Sequence, residues 1–148
     1  MKKLLFMILI FLLCGCSKEK YFICTSKITN KVQEYELIGT YKIYYENTFV
    51  TKIEEQEIYI SNNKETLNYF YEYKKLDYEN LNNLYNGISH SIEKENTKVK
   101  FNSVLDFSII DIEEMLKNKY LSKDYIVLGK LTTSGSKYIY ESKGAVCE

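Results

Sequence analysis

The strongest constraint on how this 148-residue chain can fold is an alternation from Tyr35 to Glu46 that gives one face apolar residues (Tyr35, Leu37, Tyr41, Ile43 and Tyr45) and the other mainly polar ones (Glu36, Thr40, Lys42 and Glu46). A period of two residues is typical of a β-strand with one buried face. Asn47 and Thr48 are turn residues, and residues 49–60 are rich in valine, isoleucine and tyrosine, which predicts an antiparallel partner strand. With residues 21–29 as a first strand, the pattern predicts a three-stranded meander.

The apolar period then lengthens, which predicts one long helix over residues 63–86. Asn62 followed by Glu65 resembles a capping box, and Gly87 is a typical helix stop. Asp77 leaves a second interpretation open, in which it caps a new helix and splits the segment. The predicted core-facing side chains lie three, four or seven positions apart: Leu67, Phe70, Tyr71, Tyr78, Leu81 and Tyr85.

The same helix carries a second stripe, made of Tyr69, Tyr73 and Leu76, on the side opposite the predicted core face. We call these three residues the outer stripe. A tyrosine ring can be buried while its hydroxyl stays hydrogen-bonded, so the outer stripe is a possible partner surface. A helix covered on both sides or ordinary surface tyrosines explain it more simply, since the chain has 15 tyrosines.

The remaining segments predict a second hairpin and two short helices. Residues 88–107 form the hairpin around a turn at Glu95 and Asn96, and Asp111 opens a short helix. We predict a short strand over residues 124–128, an interruption of regular secondary structure at residues 134–136, and a last helix over residues 137–143. The fold class is α+β: a mostly antiparallel sheet, built from the meander and the second hairpin, packs against one long helix and two short ones.

The N-terminus is typical of an exported protein. Lys2 and Lys3 precede an apolar run over residues 4–13, which at about 1.5 Å per residue is half as long as a membrane span of ~30 Å requires. This pattern predicts a signal peptide over residues 1–15. The segment Leu13-Cys14-Gly15-Cys16 resembles the lipobox of bacterial lipoproteins and implies that Cys16 is the lipidated N-terminus of the mature chain.

Two alternatives to lipidation at Cys16 fit the sequence less well. Cys14 is a weaker acceptor because Leu13 is too large for the small-residue position before the modified cysteine. A buried apolar helix with incidental cysteines would require the lysines, the run length and the lipobox to coincide by chance. We therefore expect residues 16–20 to be a lipidated tether and residues 21–148 to be a single extracytoplasmic domain on the cell membrane.

The exported domain keeps two cysteines, Cys24 and Cys147, one near each end. An even pair in an exported protein predicts a disulfide. Redox catalysis and zinc binding are disfavoured because the chain has no C-x-x-C motif and a single histidine. Reduced thiols in an anaerobic host stay open as an alternative.

The layout as a whole resembles the YehR-like family of small bacterial lipoproteins. The shared features are the lipobox, an early cysteine, two long strands, one helix, a charged hairpin, a short helix opened by Asp111, and an ending in which Gly144 precedes Cys147 by three residues. The resemblance covers most of the mature chain. It implies an α+β domain on the outer face of a membrane and carries no established activity, substrate or cofactor.

The sequence contains no recognisable catalytic or metal-binding motif. The single histidine, His90, shares the apolar side of a predicted strand with isoleucines, and no nucleophile elbow accompanies it. Glu55 and Glu57 point the same way on their strand and could bind a cation or serve a hydrolase, although a solvated face opposite Lys42 is the more ordinary interpretation. The acidic residues after Asp111 suit a helix N-terminus. We expect no cofactor, metal or catalytic residue.

The leading functional expectation is a non-enzymatic, lipid-anchored binding or structural lipoprotein, facing outside the cytoplasm. Its expected partners are the membrane, through acyl chains on Cys16, and an envelope protein or glycan. Nucleic acid is not an expected partner because 20 lysines balance 20 acidic residues and arginine is absent. A deep pocket with converging polar groups would favour an envelope hydrolase instead, and three coplanar exposed rings would favour a carbohydrate-binding module.

Overall fold

A computed structural model describes residues 19–148, so the predicted signal peptide, the predicted lipidation site Cys16 and most of the tether lie outside the described residues. The eight strands are β1 Lys20–Asn30, β2 Tyr35–Glu46, β3 Phe49–Ile60, β4 Ile88–Lys94, β5 Lys98–Asp106, β6 Ile126–Val127, β7 Lys130–Leu131 and β8 Val146–Cys147. The helices are α1 Lys64–Leu84, α2 Ile112–Lys117 and α3 Thr133–Glu141, with a single 3₁₀ turn at Lys123–Tyr125. The α+β class is confirmed.

Six strands form one antiparallel sheet in the order β4-β5-β3-β2-β1-β8, and β6 and β7 form a separate two-stranded pair. The bounds of β2 and β3 are those that the alternation predicts, and both predicted hairpins are present. Gly39 on β2 lies opposite Glu57 on β3, and Tyr41 lies opposite Glu55. This register decides which side chains meet in the interior.

The helices cover one face of the sheet and divide the core beneath them. Under α1, one cluster packs against β3 and β5: Tyr59, Leu67, Tyr78, Val99 and Phe101. Under α3, a second cluster packs against β1, β2 and β3: Cys24, Tyr41, Ile43, Val50, Ile53, Leu131, Tyr140 and Ala145. Tyr85, Ile110 and Met115 form a third, smaller cluster beside α2. A cavity lies between the three clusters.

The long helix α1 is continuous through Asp77, so the interpretation with two helices is wrong. Its N-cap is Asn63 rather than Asn62, because the Asn63 side chain accepts hydrogen bonds from the backbone N–H groups of Glu65 and Thr66. The predicted core face is confirmed, with Leu67, Tyr78 and Tyr85 buried.

The C-terminal segment differs from the prediction at residues 134–136, which do not break the chain. They form the first turns of α3, which Thr132 caps by accepting a hydrogen bond from the N–H of Gly135. A Cβ atom on Gly135 would lie 2.6 Å from the Cβ atom of Tyr125, so small residues here allow the helix to approach its neighbour closely. The strand predicted over residues 124–128 is reduced to the two residues of β6.

The Cys24–Cys147 disulfide is present and joins β1 to β8. Backbone hydrogen bonds between Ile23 and Glu148 extend this pairing by one residue. The start of β1 and the C-terminus therefore lie at neighbouring positions of the sheet. Among the described residues, no helix has the length and apolarity needed to cross a membrane.

Candidate functional site

The outer stripe is exposed to solvent along α1. Tyr69, Tyr73 and Leu76 are 63%, 55% and 61% exposed, and the two rings lie within 12° of parallel with their centroids 6.1 Å apart. The stripe therefore offers an apolar surface with two aromatic rings. A platform of three coplanar rings, which would favour a carbohydrate-binding module, is not provided by these three residues.

His90 has a structural environment. Its ring stacks on Tyr78 at 5.2 Å between centroids, and its Nδ1 atom lies 3.0 Å from the Nδ2 atom of Asn82. No carboxylate and no serine hydroxyl is hydrogen-bonded to its ring within residues 19–148. This arrangement fixes the edge strand β4 against α1 and supplies no catalytic relay.

Glu55 and Glu57 face the helices, so their interpretation as a solvated pair opposite Lys42 is wrong. On β3 they share a face with Ile53 and Tyr59, which are buried. Lys42 lies on the other side of the sheet, opposite Glu54, and its Nζ atom is 4.2 Å from the centroid of the Tyr21 ring. The carboxylates of Glu55 and Glu57, here called the carboxylate pair, therefore lie between the sheet and the helices.

The Glu57 carboxylate is held by an ion pair and by tyrosine hydroxyls. Lys74 on α1 places its Nζ atom 2.6 Å from Oε2, and both side chains are largely buried. The hydroxyl of Tyr41 donates to Oε1 at 3.1 Å, and that of Tyr59 donates to Oε2 at 3.4 Å. The negative charge of Glu57 is thus compensated inside the protein.

The Glu55 carboxylate is held by neutral donors. The hydroxyl of Tyr140 on α3 donates to Oε1 at 2.7 Å, and the hydroxyl of Ser103 on β5 donates to Oε2 at 2.8 Å. Tyr78 donates in turn to Ser103 at 3.4 Å. Within residues 19–148, no lysine or histidine nitrogen lies within 4.0 Å of Glu55, so its charge has no ion-pair partner.

The four tyrosines of this network, Tyr41, Tyr59, Tyr78 and Tyr140, are buried. Burial raises the pKa of each phenol well above its usual value near 10, and the carboxylate pair raises it further. They therefore remain protonated and act as hydrogen-bond donors at any physiological pH. This chemistry suits a fixed scaffold around the carboxylates.

Gly39 is required by the path of the Tyr41 ring. A Cβ atom at Gly39 would lie 2.5 Å from the Tyr41 hydroxyl oxygen and 2.5 Å from the Oγ atom of Ser26. The ring of Tyr41 therefore lies over Gly39 and reaches Glu57, while stacking on Tyr140 with centroids 4.3 Å apart. Because glycine leaves room for the Tyr41 ring, this ring can link the hydrogen bonds around Glu57 to Tyr140 and the hydrogen bonds around Glu55.

A cavity of about 340 Å³ opens beside the carboxylate pair, between α1, α3 and the loops around α2. We call it the sheet–helix pocket. Its interior is mainly apolar, with Ile53, Leu81, Leu105, Met115, Leu131 and Ile139 among its lining residues. Its polar lining residues are the carboxylate pair, Lys74, Asp77, Lys143 and four tyrosines: Tyr78, Tyr120, Tyr125 and Tyr140. Tyr120 and Lys143 are exposed and lie at the rim.

Sequence reasoning missed this pocket, although a signal for it exists. Glu55 and Glu57 have the same strand parity as Ile53 and Tyr59, but Val50, Ile58 and Ile60 have the opposite parity, so the signal is weak. The helix residues that complete the site, Lys74 on α1 and Tyr140 on α3, are distant in sequence. Within the described residues, no group of three histidine, cysteine or acidic side chains is arranged to hold a metal ion.

Comparison with known proteins identifies the fold. No family model matches the sequence, and no curated protein matches it. The NMR structure of Escherichia coli YehR superposes with a TM-score of 0.57 at 15% identity, covering 88% of this chain and 91% of YehR. The chain has a YehR-like fold. The NMR structure of a protein from Streptococcus pneumoniae TIGR4 has the same layout, with a TM-score of 0.51 at 12% identity over 89% of this chain and 86% of that one. At these identities the YehR-like fold is what the likeness shows, and it carries no activity.

Proposed function

We propose that the chain is a lipid-anchored extracytoplasmic binding protein that holds a small ligand in the sheet–helix pocket. The anchor rests on the sequence, where the lipobox ends at Cys16. Two or three acyl chains, each contributing about 0.8 kcal/mol per buried CH₂, hold a protein stably on a bilayer. The disulfide supports an oxidising compartment, because such cross-links persist in exported proteins.

The observation that carries the binding function is the sheet–helix pocket itself. Small-molecule sites are concave and mostly apolar, contain a few convergent polar groups, and usually occupy ~300–1,000 Å³. The pocket meets these criteria with a volume of about 340 Å³ and the carboxylate pair at one wall. Because its polar groups are already positioned by hydrogen bonds, a ligand would meet a preorganised surface.

The first experiment tests the anchor. The wild-type chain should fractionate with membranes and yield an N-terminal peptide whose mass includes acyl chains on Cys16. A Cys16→Ala variant should lose this modification and leave the membrane fraction. An unmodified Cys16, or an intact Met1 on the exported product, would contradict the anchor.

The second experiment tests the pocket. Leu121 lines the pocket, whereas Leu128 is 86% exposed and lies outside it. The acylated protein is purified from its native membrane and denatured, and the small molecules that it releases are measured. The wild type and the Leu128→Trp variant should each release about one molecule per protein chain. These small molecules should be absent from Leu121→Trp, in which the indole fills the cavity. Equal recovery from both variants, or none from the wild type, would refute binding in this pocket.

An envelope hydrolase is the second candidate, and the convergence of polar groups on the pocket favours it. The carboxylate pair provides two acids on adjacent positions of one face, as general acid–base chemistry requires. Against this, Glu57 is engaged by Lys74 and two tyrosines. A hydrolase would turn over a recovered ligand, with loss of turnover in Glu55→Gln, whereas a binding protein would return the ligand intact.

A further inference from the structure

Charges around the sheet–helix pocket do not balance. Three carboxylates line it, those of Glu55, Glu57 and Asp77, together with two ammonium groups, those of Lys74 and Lys143. Lys74 is already paired with Glu57 at 2.6 Å, and the Lys143 Nζ atom lies 5.6 Å from the centroid of the Tyr140 ring at the rim. The formal charge of the lining is therefore −1, and within residues 19–148 neither Glu55 nor Asp77 has an ion-pair partner; of these two, Glu55 lies on the sheet beside the aliphatic wall.

Glu55 can still accept hydrogen bonds. An ionised carboxylate offers about four lone-pair directions, and only one donor approaches each Glu55 oxygen: Tyr140 at Oε1 and Ser103 at Oε2. The protein partners of this partly buried carboxylate are neutral hydroxyls, and a bound cation would supply the opposite charge that they lack. The position is thus prepared for a positively charged group.

The walls suit the rest of such a ligand. Tyrosine faces attract cations within ~6 Å of the ring centroid, and four tyrosines line the pocket. The remaining lining is aliphatic, including Ile53, Leu105 and Leu131, which favours an apolar body over a second polar group. An anionic ligand would place its charge against three carboxylates.

We propose that the sheet–helix pocket binds a small organic monocation, with its ammonium group at Glu55 and an apolar body against the aliphatic wall. This inference rests on the proposed binding function and specifies its ligand class. The cavity of about 340 Å³ limits the occupant to a small amphiphile such as an arylalkylamine. Lys74 holds Glu57 in place and leaves Glu55 as the recognition group.

The test compares a cation with a neutral molecule of the same shape. Purified full-length protein is titrated with 2-phenylethylammonium and, separately, with 2-phenylethanol, and binding is followed by calorimetry and by NMR shifts of the pocket residues. We expect the cation to bind at least ten times more tightly than the alcohol and its affinity to fall as salt is raised. This comparison needs no substitution, so it does not depend on a variant that folds.

Two variants locate the charge that is recognised. Glu55→Gln removes the charge but keeps an amide oxygen that can accept from Tyr140, and it should weaken the cation at least tenfold while leaving the alcohol unchanged. Glu54→Gln removes the same charge from the other face of β3 and should leave both affinities unchanged. Thermal unfolding of each variant checks that it is folded.

The outcomes separate the ligand class from the pocket. Equal affinity for the two probes, or a Glu55→Gln variant that still prefers the cation, overturns the inference; if binding is nevertheless lost in Leu121→Trp, the pocket remains a binding site. If neither probe binds, the monocation is refuted for this body shape, and the native-membrane recovery experiment decides separately whether the proposed function fails.

Discussion

Replacing Gly39 by alanine should destabilise the domain, although the same change in an unhindered strand is neutral or favourable. At an unstrained position, Gly→Ala stabilises a protein by about 0.4–1 kcal/mol, because it reduces the freedom of the unfolded chain. At Gly39 the new methyl group would lie 2.5 Å from the Tyr41 hydroxyl and 2.8 Å from the ring carbon that bears it. The structure therefore predicts the opposite sign.

The size of the effect follows from what Tyr41 must give up. To clear the methyl group, its ring has to leave the 3.1 Å hydrogen bond to Glu57 and the 4.3 Å stack on Tyr140. A hydrogen bond to a charged group contributes about 1.5–3 kcal/mol. An aromatic pair contributes about 0.5–1.5 kcal/mol. Loss of both, less the stabilisation of about 0.4–1 kcal/mol that alanine brings through the unfolded chain, gives a decrease of about 1–4 kcal/mol in the free energy of unfolding.

The assay is equilibrium urea unfolding, with a double-mutant cycle as its control. In a Tyr41→Ala background the ring that the methyl group meets is absent, so Gly39→Ala should cost less than about 1 kcal/mol there. The remaining clash is with the Ser26 hydroxyl, which can rotate away. A Gly39→Ala protein as stable as the wild type, or an equal cost in both backgrounds, would refute the proposed role of Gly39.

Three further predictions concern the cross-link, the tyrosines and the orientation on the membrane. Reduction of the Cys24–Cys147 disulfide, which spans 123 residues, should lower the free energy of unfolding by about 4–5 kcal/mol on the chain-entropy estimate; an unchanged urea midpoint with reductant would contradict this. The four buried tyrosines have a pKa above that of the unfolded chain, so their contribution to stability is complete below about pH 10 and is lost as pH rises further. The phenolates of these four tyrosines should form together with unfolding, after the exposed tyrosines have ionised. Ionisation of all tyrosines while the domain stays folded would contradict this prediction. In vesicles whose lipids carry bromine, a fluorophore on Glu46→Cys of the acylated protein should be quenched, and one on Val32→Cys should not; the reverse order would place the domain upside down.

The sheet could be predicted because a period of two residues runs through most of β2 and the turn residues after it mark where the hairpin reverses. The register shift between Tyr44 and Tyr45, which lets Val50 and Ile53 both be buried, is not visible in the alternation. The disulfide was predictable for a different reason. With two cysteines left after residue 16, pairing required only that the fold bring Cys24 and Cys147 together.

The carboxylate pair was not predicted, because its burial depends on partners far away in sequence. Taken alone, Glu55 and Glu57 are acidic residues that ordinarily face water. They become acceptable inside only when Lys74 and the hydroxyls of Tyr41 and Tyr140 arrive from three other elements. The helix start near Gly135 does not follow from the sequence for a similar reason, since serine and glycine are weak helix formers and their close packing on Tyr125 is a tertiary effect.

The two candidate surfaces use different faces of α1, and this separation makes their roles independently testable: Tyr69, Tyr73 and Leu76 are exposed, whereas Lys74, Tyr78 and Leu81 line the pocket. Leu105 in the pocket shares a row of the sheet with Ile43 and Phe22, close to where β1 begins and the C-terminus returns. The outer stripe starts at Tyr69, beside Phe70, which packs on Tyr35 at the far end of the sheet. About eight residues of β1 at ~3.3 Å each separate these two rows, a distance near 26 Å, while the Leu76 end of the stripe lies beside the pocket residues Lys74 and Asp77 along α1. Substitutions in the outer stripe should therefore leave ligand binding in the pocket unchanged, and a cavity-filling change in the pocket should leave any partner of the outer stripe bound.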